Sequence, residues 1–476
     1  MMKYVSTRGG AKSVLFSEIL LEGLAPDGGL YVPEVWPKVS LQELAAWKEL
    51  PYAELAATLL AKFAPEIPQE TLRALTRAAY NPDVFCHVRK SENANKIFPT
   101  RQLEDGLYLL QLSNGPTLAF KDAAMQLLAH LLNWTLEEQG KTLTILGATS
   151  GDTGSAAIHA LRGKERIKVV ILSPSGRMSD FQRAQMYSVL DDNILNIAIN
   201  GMFDDCQDLV KTLNADTAFK DKHRLGAVNS INWARVIAQT AYYIAAYLQT
   251  AKNVGDPVSF CVPSGNFGNA FAGLVAKFMG VPVGRIIIAT NENDVLHRTL
   301  QTGRYAPAQT ALVTSSPSMD ITKASNFERV IWEAAQHDGR LITEMWERLA
   351  LERKIDFSKD YPEVWTRLAA MGLSSTTSTH ADRIAHIKLA YEKWNIFIDP
   401  HTADGVKGAV EQRKAGETMI ILETAQAAKF SSTISEALGQ EPPIPEGFEN
   451  LTALPQKVET LENDADALKA KIKAFA

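Results

Sequence analysis

Between about residue 105 and residue 300 the chain repeats one pattern: an apolar run, a polar loop carrying glycine, then a helical stretch. TLTILGATS leads into SGDTG and SAAIHALRG. IKVVILSPS and NILNIAING repeat the strand-then-loop design, and PVSFCVPSGNFGNAFAGLVAKFMG and RIIIATNENDVLHRTLQ add two further units. Apolar runs of this length read as buried strands, and helical stretches of roughly 10–15 residues between them read as crossovers. The chain is therefore expected to be α/β, with parallel sheets covered on both faces. Open sheets of this kind bind ligands at the carboxyl ends of their strands, where the glycine loops recur.

The flanks read differently. Residues 1 to about 95 are largely helical in pattern, with LQELAAWKELPYAELAATLLAKF interrupted at Pro51 and preceded by the turn signal PDGGLYVP. The stretch 305–395 is mostly helical and polar and is expected to lie peripheral to the sheet; WNIFIDPHTADG and TMIILETAQAAKF read as two late strands, and the residues from EPPIPEGFEN onward as a loop and a terminal helix. A length of 476 residues predicts about three domain-sized units at roughly 150 residues each. Acids and bases are mixed and the net charge is −5, so the basic stripe that nucleic acid requires is missing. No apolar run reaches the roughly 18–20 residues of a membrane span, and MMKYVSTRGG lacks a signal-peptide layout, so a cytoplasmic protein without membrane partners is expected. Cys86, Cys206 and Cys261 form neither a disulfide framework nor a metal spacing, and the nine histidines are scattered; no metal site is expected.

Five strings carry candidate chemistry. In SNGPTLAFKD, Lys121 opens a helix beside Leu118, Ala119 and Phe120. Apolar neighbours and the positive helix start both disfavour the ammonium form, leaving the amine able to condense with an aldehyde. An ordinary solvated lysine is the commoner reading of that residue alone. PSGNFGN follows a strand, and its backbone N–H groups at Gly265, Asn266, Phe267, Gly268 and Asn269 can converge on a phosphate; a tight turn needing glycine is the alternative. GATSGDTGSAA offers Thr149, Ser150, Thr153 and the amides around Gly151 to a carboxylate or phosphate, with Asp152 out of place beside an anion; simple capping would use the same residues. VNSINWAR brings Ser230, Asn232 and Arg235 together, and Arg235 suits a substrate phosphate or a surface ion pair. Arg177 lies in the similar polar loop SPSGRMSDFQ. In ILETAQAAKF, the Thr424 hydroxyl can bond a heterocyclic nitrogen or cap a helix. His401 in DPHTADG is read as structural rather than catalytic.

Taken in order, YVSTRGG, LAPDGGLYVP, GPTLAFKD, GATSGDTGSAA, VNSINWAR, VPSGNFGN, SPSMDI with SNFER, DPHTADG and LETAQAAKF resemble the threonine synthase family over most of the chain. The resemblance implies a pyridoxal phosphate (PLP) enzyme of fold type II, the tryptophan-synthase β-like fold. Its expected parts are an N-terminal region at 1–95, a large cofactor domain at 96–135 and 240–476, and a smaller mobile substrate domain at 136–239. It implies that Lys121 carries PLP as a Schiff base, that Gly265 to Asn269 hold its phosphate, that Thr424 faces its pyridine nitrogen, and that Ser150 to Thr153 take the substrate α-carboxylate. The implied reaction converts O-phospho-L-homoserine and water to L-threonine and phosphate, by γ-elimination and β-addition of water, in a monomer or homodimer. The sequence departs from the pattern at Asp152, where many relatives of the fold have an asparagine that bonds the cofactor 3′-oxygen, and at Gln426 and Ala427, where many threonine synthases read His-Pro. Competing expectations are a PLP-dependent phospho-lyase or threonine dehydratase releasing 2-oxobutanoate, and a non-catalytic phosphate-binding α/β protein.

Overall fold

The computed structural model describes residues 2–89, 96–176 and 178–475. Two sheets organise it. The larger has six strands in the order Leu373–Thr377, Val283–Thr290, Val258–Pro263, Thr418–Leu422, Leu107–Leu110 and Thr100–Glu104. All neighbours are parallel except the last pair, where Thr100–Glu104 runs antiparallel along the edge. The smaller sheet is wholly parallel, in the order Glu459–Glu462, Ile194–Asn200, Ile167–Pro174, Leu143–Ala148, Leu225–Gly226. The central strands are apolar because both faces are covered: Val258–Pro263 is buried at every residue and Ile167–Pro174 at seven of eight positions.

Three expectations are corrected. The stretch 305–395 is not wholly peripheral, since Leu373–Thr377 forms an edge strand of the large sheet. Its LSSTT sequence is too polar to read as a buried strand; Ser375 and Thr376 are buried because parallel pairing to Val283–Thr290 takes up their backbone groups. Ile396–Asp399, read as a strand, pairs with no strand among the described residues and leads straight into the helix Pro400–Gln412, where Pro400 sits in the first turn and the Asp399 side chain caps the His401 N–H. The chain end does not stay with the large unit. Glu459–Glu462 joins the small sheet beside Ile194–Asn200, and the helix Ala465–Phe475 buries Leu468 and Ile472 against the same core as Leu209 and Leu213.

The N-terminal region is fastened to the rest rather than standing apart. Tyr4–Ser6 pairs antiparallel with Tyr31–Pro33, and Tyr4 and Phe63 pack their rings 5.9 and 6.1 Å from Trp233. Glu328, almost fully buried, accepts from Thr7 Oγ1 at 2.6 Å and pairs with Arg8 at 3.2 Å. Tyr80 Oη donates to the Ala123 carbonyl at 2.7 Å, bracing the helix Lys121–Glu138 near its start.

Candidate active site

The turn before Lys121 is set by local chemistry. Asp122 Oδ2 accepts from the Thr117 N–H at 2.9 Å and its Oδ1 from the Thr117 hydroxyl at 2.7 Å. Leu118 adopts a left-handed φ of 57°, a conformation that costs a branched side chain on the order of 1 kcal/mol or more and persists only under outside constraint. The constraint is a short antiparallel bridge between Ala119 and Ala425: Phe120 N donates to Thr424 O at 2.8 Å and Gln426 N to Leu118 O at 3.0 Å. Gly115 must be glycine, because a Cβ there would meet Asp122 at 2.7 Å. Lys121 and Thr424, far apart in sequence, are thus locked side by side.

Lys121 is 9% exposed. Its Nζ lies 3.0 Å from Ser318 Oγ and 3.7 Å from Asp152 Oδ2, with the Phe120 ring 5.7 Å away. Burial pushes its pKa down to about 8; Asp152 opposes the shift, and the cations of Lys429 and Arg235 reinforce it. A usable fraction of free amine near neutral pH follows.

Asp152 is fully committed. Its Oδ1 pairs with Lys429 Nζ at 2.9 Å and accepts from Gln182 Nε2 at 3.1 Å; its Oδ2 accepts from Ser318 Oγ at 2.9 Å. Burial alone would raise the Asp152 pKa, but Lys429 and Lys121 hold it well below the usual carboxylate range. It therefore stays ionised among cations, its charge met by a lysine some 280 residues further along the chain. Lys429 Nζ is itself tied to the Thr117 carbonyl at 2.7 Å.

The loop after Val258–Pro263 opens the helix Gly268–Met279. Phe267 takes a left-handed φ of 63° and buries its ring against Phe327 at 5.6 Å, so it offers the loop only its backbone. The first N–H groups of a helix lack intrahelical acceptors, and Ser264 Oγ, buried, has no partner among the described residues. A Cβ at Gly265 would stand 3.0 Å from Met319 Cα. An open cradle of neutral donors with one orphaned hydroxyl fits a phosphate group, and a buried amine of lowered pKa nearby fits an aldehyde; the residues present therefore suit PLP.

Other expected residues take definite places. Asn269 is buried, with its amide oxygen accepting from Tyr242 at 2.5 Å and Tyr243 at 3.1 Å. The Asn266 carbonyl accepts from Asn326, whose side chain also reaches the Ser230 carbonyl at 3.1 Å. Arg235 is 3% exposed, and burial pushes its guanidinium down to about 10. Its Nη1 bonds the Val228 carbonyl at 3.0 Å, its Nε has no partner, and it has no carboxylate counter-ion among the described residues. Asn232 is not free for a ligand: it caps the helix Trp233–Thr250 through Ala234 N and bonds the Leu20 carbonyl. The Thr149 hydroxyl turns inward, accepting from Gly151 and Gly154 N–H. Ser150 is exposed and Thr153 half-buried at the start of the helix Asp152–Leu161. Gly151 takes a φ of 138° that an L side chain rarely adopts, and a Cβ there would press on the Gln182 amide at 2.5 Å. Arg177 lies outside the described residues.

Sequence reasoning missed Ser318, Lys429, Gln182 and Glu423. Glu423, 1% exposed, is held by Arg89 at 2.6 and 2.7 Å and accepts from Leu112 N, Ser113 N and Ser113 Oγ, joining two strand ends beside Thr424. Lys429 and Glu423 sit within LETAQAAKF and Ser318 within SPSMDI, strings that mark the family; no local pattern distinguishes their charges from surface ones.

Sheet order, the lysine at a helix start and the neutral phosphate cradle define the class. Residues 91–419 match the model of the family described as pyridoxal-phosphate dependent enzyme. Residues 3–80 match threonine synthase N terminus, and residues 402–472 match threonine synthase, C-terminal. A threonine synthase of Methylobacillus glycogenes is 50% identical over 470 residues, covering 98% of each chain. The PLP-bound threonine synthase structure from Brucella melitensis superposes with a TM-score of 0.94 at 39% identity, covering 100% of this chain and 99% of that one. The yeast threonine synthase structure gives 0.91 at 35% identity, covering 99% and 98%. The chain belongs to the threonine synthase family of PLP-dependent enzymes.

Proposed function

We propose that this chain catalyses the threonine synthase reaction, taking O-phospho-L-homoserine and water to L-threonine and phosphate. The observation that carries the reading is the buried Lys121 amine beside a neutral phosphate cradle, in a chain alike to threonine synthases along its whole length. Lys121 would hold PLP covalently, the backbone of Gly265 to Gly268 with Ser264 would take the cofactor phosphate, and the neutral Thr424 hydroxyl would serve the pyridine nitrogen. Asn269 supports the cradle from below through Tyr242 and Tyr243. Bound PLP supplies an electron sink that acidifies the carbon bearing the amino group.

The chain's own groups do the rest. Lys121, released as a free amine once the substrate amino group has taken its place, removes the proton from that carbon and later returns one. The exposed Ser150 and the amides of Gly151 to Thr153 receive the substrate carboxylate at a helix N-terminus. The anionic Asp152 points away from that carboxylate, toward Lys429 and Ser318. Arg235 receives the substrate phosphate: a buried guanidinium without a counter-ion is stabilised by an incoming dianion. Ser230 lines the same junction; Thr149 and Asn232 shape it without touching substrate.

The test is to incubate the protein with PLP and O-phospho-L-homoserine and to assay threonine and phosphate together. Equal release of both is expected. Phosphate accompanied by 2-oxobutanoate instead of threonine would make the protein a lyase of the same scaffold.

A further inference from the structure

Lys121 has one hydrogen-bond partner among the described residues, and it is a serine placed with unusual care. Ser318 Oγ lies 3.0 Å from Lys121 Nζ and 2.9 Å from Asp152 Oδ2. Asp152, ionised and paired with Lys429, can only accept. The Ser318 proton is therefore directed to Asp152, and its lone pair faces Lys121. With one N–H of the amine held by that lone pair, the nitrogen lone pair of Lys121 is left two of its three staggered positions.

The backbone of Ser318 is fixed in turn. Its N–H donates to His401 Nε2 at 3.0 Å, so that nitrogen carries no proton and the ring proton sits on Nδ1, which donates to Asp399 Oδ1 at 2.7 Å. His401 and Asp399 are fully buried. Asp399 Oδ2 also accepts from the Ala425 N–H at 3.2 Å and from the Thr402 hydroxyl, which in turn accepts from Thr424 N at 3.0 Å. One carboxylate thus sets Thr424 and, through a neutral histidine, the residue that holds Lys121. The adjoining Met319 packs on Gly265 of the cradle, so cofactor phosphate, pyridine partner and lysine are referred to the same segment.

We propose that Ser318 is a further catalytic residue that aims the Lys121 amine, and that His401 and Asp399 are its positioning residues. The inference rests on the function proposed above. The charged groups near the Lys121 amine are Asp152, Lys429 and Arg235; Ser318 adds direction to their field without adding charge.

The test follows the growth of cofactor absorbance when PLP is added to cofactor-stripped enzyme, across pH, for wild type and for Ser318→Ala, Ser318→Thr and His401→Gln. Thermal unfolding of each checks that it folds, and borohydride reduction with peptide mapping locates the label. Ser318→Ala is expected to keep the label on Lys121 while the attachment rate falls about 10-fold or more, the order expected for losing a hydrogen bond to a charged partner. Ser318→Thr, which retains the hydroxyl, is expected to recover most of that loss. His401→Gln is expected to fall between them, with a fall in kcat larger than any change in KM. A folded Ser318→Ala protein attaching PLP to Lys121 at the wild-type rate and pH midpoint would overturn this inference alone. Absence of label from Lys121 in the wild type would instead overturn the parent reading and this one with it.

Discussion

The loop after Val258–Pro263 and the loop after Leu143–Ala148 share one design: an apolar parallel strand, a glycine turn, and a helix whose N-terminus points into the site. Their electrostatics are opposite. The first keeps its donors neutral and leaves Ser264 Oγ without a partner among the described residues; the second carries Asp152, neutralised by Lys429 and bonded by Ser318. Both abut the Ser318 segment, the first through Gly265 against Met319 and the second through Asp152. A glycine-bearing strand end therefore specifies a place for an anion, while the distant side chains folded against it decide whether that place is open. In the first loop the helix start is available to a phosphate. In the second, Lys429 neutralises Asp152, whose charge fastens the small sheet to the large one and tunes Lys121, so the helix start there stays open to an anion as well.

Substitutions separate these roles. Lys121→Ala is expected to have the largest effect, a loss of turnover of about a thousandfold or more together with loss of the cofactor's visible band, read by assay and absorbance. In the wild type the rate of PLP attachment is expected to rise with pH to a midpoint near 8, where burial has brought the Lys121 amine. Asp152→Asn breaks a buried pair and leaves the Lys429 ammonium without its anion; about 3–5 kcal/mol of stability should be lost in denaturant unfolding at neutral pH. The sign follows from the depressed Asp152 pKa. Its contribution is complete above the unfolded carboxylate value, roughly 4, and fades as pH falls below that, so the two proteins should converge in acid. Gly265→Val presses a side chain on Met319 and should weaken PLP retention about 10-fold, consistent with the roughly 1–3 kcal/mol typical of overpacking. Asn232→Ala removes a helix cap and the bond to the Leu20 carbonyl and should cost about 1–2 kcal/mol of stability, with PLP attachment at Lys121 unchanged.

The comparison also explains what the sequence could carry. Buried parallel strands are legible because they are mostly apolar along their length, as VSFCV is with one serine, and the loops after them because glycine recurs where the backbone turns or is closely approached, as at Gly151 and Gly265. Leu373–Thr377 was not legible, since its identity as a strand comes from pairing with Val283–Thr290 and not from its own composition. Glu459–Glu462 was missed for the same reason: it is a charged edge strand completed by a remote partner. Lys121 could be picked from a helix start with apolar neighbours, whereas Lys429, still more deeply buried, acquires its meaning only from Asp152. Arg235 could be proposed as an anion ligand by residue type, but that it lacks a carboxylate partner among the described residues is a property of the fold.

The central claim is a covalent one, and reduction tests it directly. PLP-loaded protein treated with borohydride and digested should give one pyridoxyl-bearing peptide, containing GPTLAFKD, with the label on Lys121. A label on Lys429, on any other lysine, or on none would contradict the account.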